Sequence, residues 1–208
     1  MSSPHEFPVA GSETLYAGRV MALRRDEVVM PGGRAAAREV VEHPGAVAVV
    51  PLDGDGSVVM IHQYRHPLRR RLWELPAGLL DEPGEDPVAT AHRELREEAG
   101  LEAADWSLLV DVAGSPGLSD ETVRVYLARG LTAMARPDGP DDEEAALEFD
   151  RVPLADAVGR VLAGEIVNGP TSVGLLAAHA VLTGAARQRP LHAPWPDRPT
   201  RFAARGRP

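Results

Sequence analysis

The most informative segment of the chain is GLLDEPGEDPVATAHRELREEAGL, residues 78–101. Its second part predicts a helix, because Asp86 can accept hydrogen bonds from the first turn and Pro87 suits the first helical position. Gly100 favours the left-handed conformation that ends many helices. Apolar residues between these ends recur at steps of three and four, which predicts one buried stripe formed by Val88, Ala91, Leu95 and Ala99.

Three carboxylates lie along one edge of this predicted helix. At 100° per residue, Glu94, Glu97 and Glu98 fall within about 100° of each other. Like charges at this spacing need either solvent or cations around them. Hard divalent cations such as Mg²⁺ or Mn²⁺ bind oxygen ligands of this kind and also accept phosphate oxygens. A solvated helix face is the alternative interpretation, and the pattern alone leaves both open.

Composition limits the class of protein and the kind of site. The chain has 208 residues, of which 44% are apolar and 25% charged, and this predicts one main globular domain with an accessory segment. A net charge of −9 repels nucleic acid, so a phosphate ligand needs metal ions or a local arginine cluster. The absence of cysteine excludes disulfides, zinc-thiolate sites and thiol nucleophiles. Without a secretory pattern or a long apolar run, the sequence predicts a cytoplasmic location.

Strands are predicted on both sides of the helix. A turn at residues 30–33 follows an N-terminal hairpin, and residues 46–51 are typical of a strand buried on both faces. The patterns predict further strands at residues 57–64, 107–112, 122–128 and 147–152, an acidic loop at 136–144, and helices at 154–163 and 172–182. From Arg187 onward proline and arginine dominate without periodicity, which predicts a mobile tail.

The spacing within residues 78–101 resembles the Nudix box, the signature of hydrolases that act on nucleoside diphosphates linked to another group. Glu85 is followed by seven residues and then by the run RELREEAGL, so that eight fixed positions agree. One departure concerns the opening loop, where six residues separate Gly78 from Glu85 and the family has five. The resemblance implies an α/β fold, an α/β/α sandwich around a mixed sheet, with an N-terminal β subdomain exchanged between the chains of a dimer.

Four further motifs lie outside the core of the box. They are Arg38-Glu39-Val40, Gln63-Tyr64-Arg65, Trp73-Glu74-Leu75-Pro76-Ala77-Gly78, and Pro116, sixteen residues after the box glycine. Together they resemble the ADP-ribose pyrophosphatase branch of mycobacterial or actinobacterial type, whose members share the longer opening loop. The domain organisation implied is an N-terminal β segment over residues 1–44, a Nudix hydrolase domain over residues 45–186, and a flexible tail over residues 187–208.

The resemblance also implies roles for single residues. The metal ligands would be the Ala77 carbonyl oxygen and the carboxylates of Glu85, Glu94, Glu97 and Glu98, with Glu85 able to pair with Arg93 instead. The substrate-binding residues would be Arg38, Glu39, Arg65, Glu74 and Pro116. The catalytic residues would be Glu143 as the base, with Glu97 and Arg93, and Glu144 is the alternative base. The basic run Arg69-Arg70-Arg71 is open to two interpretations, a loop surface or a substrate contact.

The activity implied is the Mg²⁺-dependent hydrolysis of ADP-ribose to AMP and ribose 5-phosphate by a homodimer, with Mn²⁺ as an alternative ion and neither nucleic acid nor a membrane as partner. One alternative is a Nudix hydrolase of another nucleoside diphosphate derivative, such as a nucleotide sugar or a dinucleotide cofactor. Another is a non-catalytic sensor that binds ADP-ribose, although such sensors usually carry a degraded box and an appended DNA-binding domain. The third is an acidic scaffold without a ligand.

Overall fold

The computed structural model describes residues 7–82, 84–135 and 147–205. These residues form two compact units, and each is described by itself. The first unit comprises the chain up to Gly45, residues 113–122 and the chain from Asp197 onward. The second unit comprises Ala46–Val112 and Val123–Pro196, and it contains the helix predicted from residues 86–100.

The first unit is built on a three-stranded antiparallel sheet. Its strands are β1 (Val9–Ala17), β2 (Ala22–Val29) and β3 (Ala35–Glu42), paired in that order. The predicted turn at residues 30–33 joins β2 to β3, and Gly32 and Gly33 adopt φ angles of 95° and 83° that favour glycine. Most of β1 is exposed to solvent. The sheet therefore has one more strand than the predicted hairpin.

The second unit contains a mixed sheet of seven strands. They are β4 (Ala46–Leu52), β5 (Ser57–Arg65), β6 (Arg70–Glu74), β7 (Ala77–Leu79), β8 (Leu101–Ala113), β9 (Thr122–Ala133) and β10 (Glu148–Pro153). The order is β10-β5-β4-β9-β8, with β6 paired to β5 and β7 paired to β4. Strand β4 runs parallel to β9 and antiparallel to β5 and β7. Because β4 lies inside the sheet, both of its faces are available for packing.

Helices cover both faces of this sheet, which confirms the predicted α/β/α sandwich. They are α1 (Pro87–Ala99), α2 (Leu154–Leu162) and α3 (Gly169–Leu182). Successive residues of a strand point to opposite faces. Accordingly, Val47 and Val49 belong to the core that contains Leu95 of α1, whereas Ala48 and Val50 belong to the core that contains α2 and α3. Every residue of β4 is buried, as its unbroken apolar sequence predicted.

The ends of α1 follow the predicted capping chemistry. Asp86 accepts a hydrogen bond from the Val88 amide at 2.8 Å, and Gly100 adopts a φ angle of 62° while its amide donates to the Arg96 carbonyl. Ala91 and Leu95 are fully buried. The predicted helix and its apolar stripe are therefore confirmed, and they fix which edge of α1 carries the glutamates.

Some strands differ from the sequence prediction. Strand β8 begins at Leu101, directly after α1, six residues before the predicted start. Strands β6 and β7 were not predicted, because β7 has three residues and β6 opens with two arginines that hide any alternation. Arg70 and Arg71 therefore lie in a strand rather than a loop. The predicted acidic loop at residues 136–144 lies outside the described residues.

The described part of the chain contains no helix whose length and hydropathy would suffice to span a membrane.

The segment after Arg187, which its composition predicts to be mobile, makes defined contacts in the structure. Arg124 of β9 donates to both oxygens of Asp111 on β8, at 2.7 and 3.1 Å, and Arg189 donates to the same carboxylate at 2.8 Å. Arg124 also donates to the carbonyl of Pro194, and its guanidinium lies 4.6 Å from the centre of the Trp195 ring. We call Asp111, Arg124, Arg189 and Trp195 the C-terminal latch. Periodicity could not reveal it, since the latch depends on charge pairing between distant positions.

Electrostatics explain why the latch holds an ionised carboxylate. Partial burial opposes the charge of Asp111, but hydrogen bonds from Arg124 and Arg189 lower the pKa of this carboxyl below its ordinary value. A carboxyl with a lowered pKa in the folded state stabilises that state at all pH values above the unfolded pKa. The contribution is lost as the pH falls through the lowered value.

We expect Asp111→Asn to destabilise the protein by about 3 kcal/mol at pH 7, because Arg124 then keeps a buried charge without its carboxylate. The difference from wild type should shrink below about pH 4, where the unfolded aspartate becomes protonated. Urea unfolding midpoints at pH 7 and at pH 3 measure both effects. Asp105→Asn, an exposed position of the same strand, is the matched control. Equal midpoints for wild type and Asp111→Asn at pH 7 would show that the latch contributes nothing.

Candidate functional site

The glutamates of α1 meet around one guanidinium group. Arg93 donates from Nη1 to Glu94 at 2.6 Å and to Glu97 at 3.1 Å, and from Nη2 to Glu85 at 3.2 Å. Glu85 comes from the loop before the helix and also accepts a hydrogen bond from Thr90 at 2.9 Å. The structure therefore brings together three of the four predicted carboxylates, and Glu85 has the pairing with Arg93 that the sequence left open.

The fourth carboxylate links α1 to the sheet. Glu98 accepts a hydrogen bond from the Ala77 backbone amide at 2.8 Å, and Ala77 is the first residue of β7. The side chains of Glu94 and Glu98 belong to residues that are only 8% exposed, although both are acidic. These two glutamates are thus held between α1 and β7 and do not form a solvated helix face.

Gly78 makes this arrangement sterically possible. A Cβ atom built on Gly78 would overlap the carboxylate of Glu94. Since the obstacle is the far end of a flexible side chain, a substituent would displace the carboxylate more readily than it would disturb the backbone. The glycine of the motif is therefore required here for the position of Glu94.

The charges of this cluster shift its pKa values in opposite directions. Burial raises the pKa of Glu94 to about 7, and the neighbouring charge of Glu97 adds to that shift while Arg93 opposes it. Burial of Arg93 opposes its charge, but its carboxylate partners raise the pKa of the guanidinium above its ordinary value. For Glu85, hydrogen bonds from Arg93 and Thr90 outweigh burial and lower the pKa. A further cation at this edge would favour the ionised form of Glu94.

The oxygen atoms along this edge of α1 are of the kind that bind a hard divalent cation. It offers carboxylate oxygens on one helix edge, a buried glutamate whose ionised form needs a cation, and a glycine that leaves room for it. Within residues 7–82, 84–135 and 147–205, no group of three or more acidic or histidine side chains is already arranged as a metal site. Arg93 holds the carboxylates in the geometry observed.

Two predicted substrate-binding residues form an ion pair with each other. Arg65 at the end of β5 donates from Nε and Nη2 to the two oxygens of Glu74 at the end of β6, at 2.8 and 2.7 Å. Glu74 is 2% exposed. The guanidinium group of Arg65, a predicted substrate-binding residue, thus binds a buried carboxylate in this structure.

The other predicted residues lie elsewhere. Arg38 and Glu39 are exposed on β3, and Pro116 is exposed in the loop after β8, so all three belong to the first unit. Arg38 donates to the Ala37 carbonyl at 2.8 Å. Glu143 and Glu144, the two candidates for the base, lie outside the described residues.

Two features near α1 were not predicted. A groove of about 670 Å³ runs beside the helix, bordered by Glu85, Arg93 and Arg96 together with residues of β8. The hydroxyl of Thr90, a fully buried residue, binds Glu85. A threonine on the buried face of a helix cannot be told from an ordinary core residue by its position in the sequence. The hydrogen bond to Glu85 could therefore not be predicted.

Comparisons with known proteins agree with this geometry. Residues 41–169 match the family described as NUDIX domain, and residues 9–41 match the one described as nucleoside diphosphate sugar hydrolase N-terminal domain. The chain is 57% identical over 201 residues to an ADP-ribose pyrophosphatase of Mycobacterium tuberculosis, covering 97% of each chain. It is 38% identical over 175 residues to an ADP-ribose pyrophosphatase of Bacillus subtilis, covering 84% of this chain and 93% of the relative.

A structural comparison gives the same fold. The crystal structure of an ADP compounds hydrolase superimposes with a TM-score of 0.74 at 23% identity, covering 90% of this chain and all of the other. At that identity the likeness establishes the fold alone. The sequence match over most of the chain and the arrangement of α1 against β7 lead to one conclusion: this chain belongs to the Nudix hydrolase family.

Proposed function

We propose that this protein is a Mg²⁺-dependent ADP-ribose pyrophosphatase that hydrolyses ADP-ribose to AMP and ribose 5-phosphate. The observation that carries the proposal is the buried pair Glu94 and Glu98, packed between α1 and β7 beside Gly78. It stands in a chain 57% identical, over nearly its whole length, to a protein named for this activity. The intact set of acidic residues favours an enzyme over a sensor.

The carboxylate edge accounts for the metal requirement of the proposal. Glu94, Glu97, Glu98 and the Ala77 carbonyl would hold Mg²⁺, and Mn²⁺ offers the same preference for oxygen ligands. When bound, the ion supplies positive charge that offsets the negative charge of the pyrophosphate. Metal binding would require Glu94 to exchange its hydrogen bond with Arg93 for the cation. Glu85 would then act indirectly, by holding Arg93 beside the carboxylate edge.

Hydrolysis also needs a base beside the attacking water. We assign this role to Glu143, with Glu144 as the alternative, since both precede β10 in an acidic segment. Glu39 and Pro116 would contact the substrate. Arg65 and Glu74 would act as a pair, in which Glu74 fixes the orientation of the guanidinium.

A second candidate, hydrolysis of a nucleotide sugar, is favoured by one observation. Residues 9–41 match a domain description that refers to nucleoside diphosphate sugars. Both candidates share the metal site and the pyrophosphate bond, and they differ in the group joined to the second phosphate.

A substrate panel separates the two candidates. We expect ADP-ribose with Mg²⁺ to give AMP and ribose 5-phosphate with a kcat/KM at least about tenfold above that of any nucleotide sugar, which corresponds to about 1.4 kcal/mol of discrimination. Chromatography of the products checks the bond that is cleaved. A preference for a nucleotide sugar would select the second candidate, and no turnover of any member of the panel would contradict both. Replacing Mg²⁺ by EDTA is the control for metal dependence.

The close approach of Gly78 to the Glu94 carboxylate allows a direct test of the metal assignment. We expect Gly78→Ala to lower turnover by on the order of 10²-fold, because the added methyl displaces a charge-stabilising ligand. The rise in thermal midpoint that Mg²⁺ gives the wild type should also be lost. Gly159→Ala in α2 is the matched control, since among the described residues no atom beyond its chain neighbours and its own helix backbone lies within 4 Å of its added Cβ. Full activity and an unchanged Mg²⁺ response in Gly78→Ala would remove Glu94 from the metal site.

We also propose a homodimer in which the first unit of one chain contributes to the site of the other. The proposal is supported by the exposure of β1, whose Val9, Leu15 and Tyr16 are 52%, 44% and 58% exposed. A partner chain would cover these exposed apolar side chains. Arg38 on β3 would then serve the site of the partner chain. A cytoplasmic location stays a prediction, in keeping with a chain that has no cysteine.

Mixed dimers test whether Arg38 acts across the interface. We expect Arg38→Ala and Glu94→Gln homodimers to be nearly inactive, and co-expression of the two chains to restore roughly one site in four, since a two-fold dimer places both defects in one site of each mixed dimer. Differential tags confirm that mixed dimers form, and co-expression of two Glu94→Gln chains is the control. If mixed dimers form and no activity returns, Arg38 acts within its own chain.

A further inference from the structure

A buried carboxylate in the first unit has no part in the function proposed above. Glu42, the last residue of β3, is 0% exposed. It accepts hydrogen bonds from Arg24 at 2.8 Å and from Nη2 of Arg205 at 3.0 Å, and its second oxygen binds Nε of Arg205. Arg201 lies 3.6 Å from the same carboxylate. Three arginines therefore converge on one glutamate, two of them from the C-terminal segment.

The hydrogen bonds from Arg205 lower the pKa of Glu42, and those from Arg24 add to this effect although burial opposes it. A carboxylate enclosed in this way is held by charge-assisted hydrogen bonds on both oxygens. Arg205 also donates to the hydroxyl of Thr14 on β1 at 2.8 Å. One side chain thus joins β3 to β1.

The residues on either side of Glu42 hold the loop that contains Pro116. The Val41 amide donates to the Leu118 carbonyl at 2.8 Å, and the Asp120 amide donates to the Val41 carbonyl at 3.1 Å. The His43 amide donates to the side chain of Asp120 at 2.9 Å. The C-terminal end of β3 therefore holds residues 118–120 in place by hydrogen bonds.

Further hydrogen bonds connect residues 118 and 119 to the turn that contains Pro116. The Leu118 amide donates to the Ser115 carbonyl at 3.0 Å, and the Ser119 amide donates to the same carbonyl at 2.9 Å. These bonds close a turn with Pro116 inside it. The position of Pro116 consequently depends on Val41 and His43, and through them on the residue between them.

A second contact joins the C-terminal segment to this loop. The hydroxyl of Thr122, at the end of the loop, donates to the Asp197 carbonyl at 3.0 Å. Arg24 lies 3.8 Å from Asp120, so the cation that binds Glu42 also faces the loop. Carboxylates and guanidinium groups in one connected network fix one another more firmly than a single exposed pair does.

We propose that Glu42 and Arg205 are positioning residues for substrate binding, which act by holding the Ser115 to Asp120 turn in place. The inference rests on the proposed function, in which Pro116 contacts ADP-ribose. It assigns a role to the C-terminal segment: its Arg205 completes the network that orients a loop 85 or more residues earlier in the chain. Neither residue touches the substrate.

The test uses steady-state kinetics of the full chain on ADP-ribose. We expect Arg205→Ala to raise KM on the order of tenfold while kcat changes less than about twofold, because the loop contributes binding that is equal in the ground and transition states. Arg205→Lys should recover part of the loss, since lysine keeps the charge without the paired donors. Glu42→Gln should raise KM in the same direction. Arg187→Ala, which removes the same charge from an exposed position, should match the wild type.

Hydrogen exchange gives a readout that does not require turnover. In Arg205→Ala, the amides of Leu118 and Asp120 should exchange faster than in the wild type, while amides of β4 should be unchanged. If the wild type fails to hydrolyse ADP-ribose, the proposed function is wrong, and exchange at this loop alone decides whether Arg205 positions it. An unchanged KM in Arg205→Ala, or a fall in kcat at constant KM, would overturn the assignment. Unchanged loop exchange would overturn it as well.

Discussion

The site is organised by the packing of one edge of α1 against the short strand β7. Helix α1 places Glu94 and Glu98 where they are nearly buried, and β7 meets them with an amide at Ala77 and no side chain at Gly78. Burying a carboxylate is unfavourable unless its charge is compensated. Arg93 supplies part of that compensation to Glu94 from the same helix. The pKa of Glu94 is still raised to about 7 by burial, so a further cation would favour its ionised form.

The sequence predicted the parts of this arrangement that have a local cause. The caps at Asp86 and Gly100 and the buried stripe of α1 follow from side-chain chemistry within a few residues of each other. The burial of β4 on both faces follows from its unbroken apolar run. Helical periodicity also placed Glu94, Glu97 and Glu98 on one edge, and the family resemblance added their expected role as metal ligands. The space that Gly78 leaves for Glu94 was found only in the three-dimensional structure.

What the sequence could not predict depends on contacts between distant positions. The early start of β8 and the short strands β6 and β7 are set by pairing within the sheet, and they lack an alternation that would announce them. The contacts of the C-terminal segment could not be predicted for a related reason. Proline and arginine are typical of mobile chains, but Arg189 and Arg205 find carboxylates 78 and 163 residues away. Composition describes a segment without describing its partners.

The order in which a ribosome delivers these residues gives the two units different folding histories. In the second unit, β4 has to wait for its parallel neighbour β9, since Val47 pairs with Arg124. The ion pairs of the first unit can form only later in synthesis. Glu42 emerges early, yet two of its three cations are made only after most of the chain has been synthesised. Long-range contacts of this kind slow folding, and a nascent chain exposes unpaired surface until they form. The N-terminal sheet, made first, is therefore among the last parts to reach its final set of ion pairs.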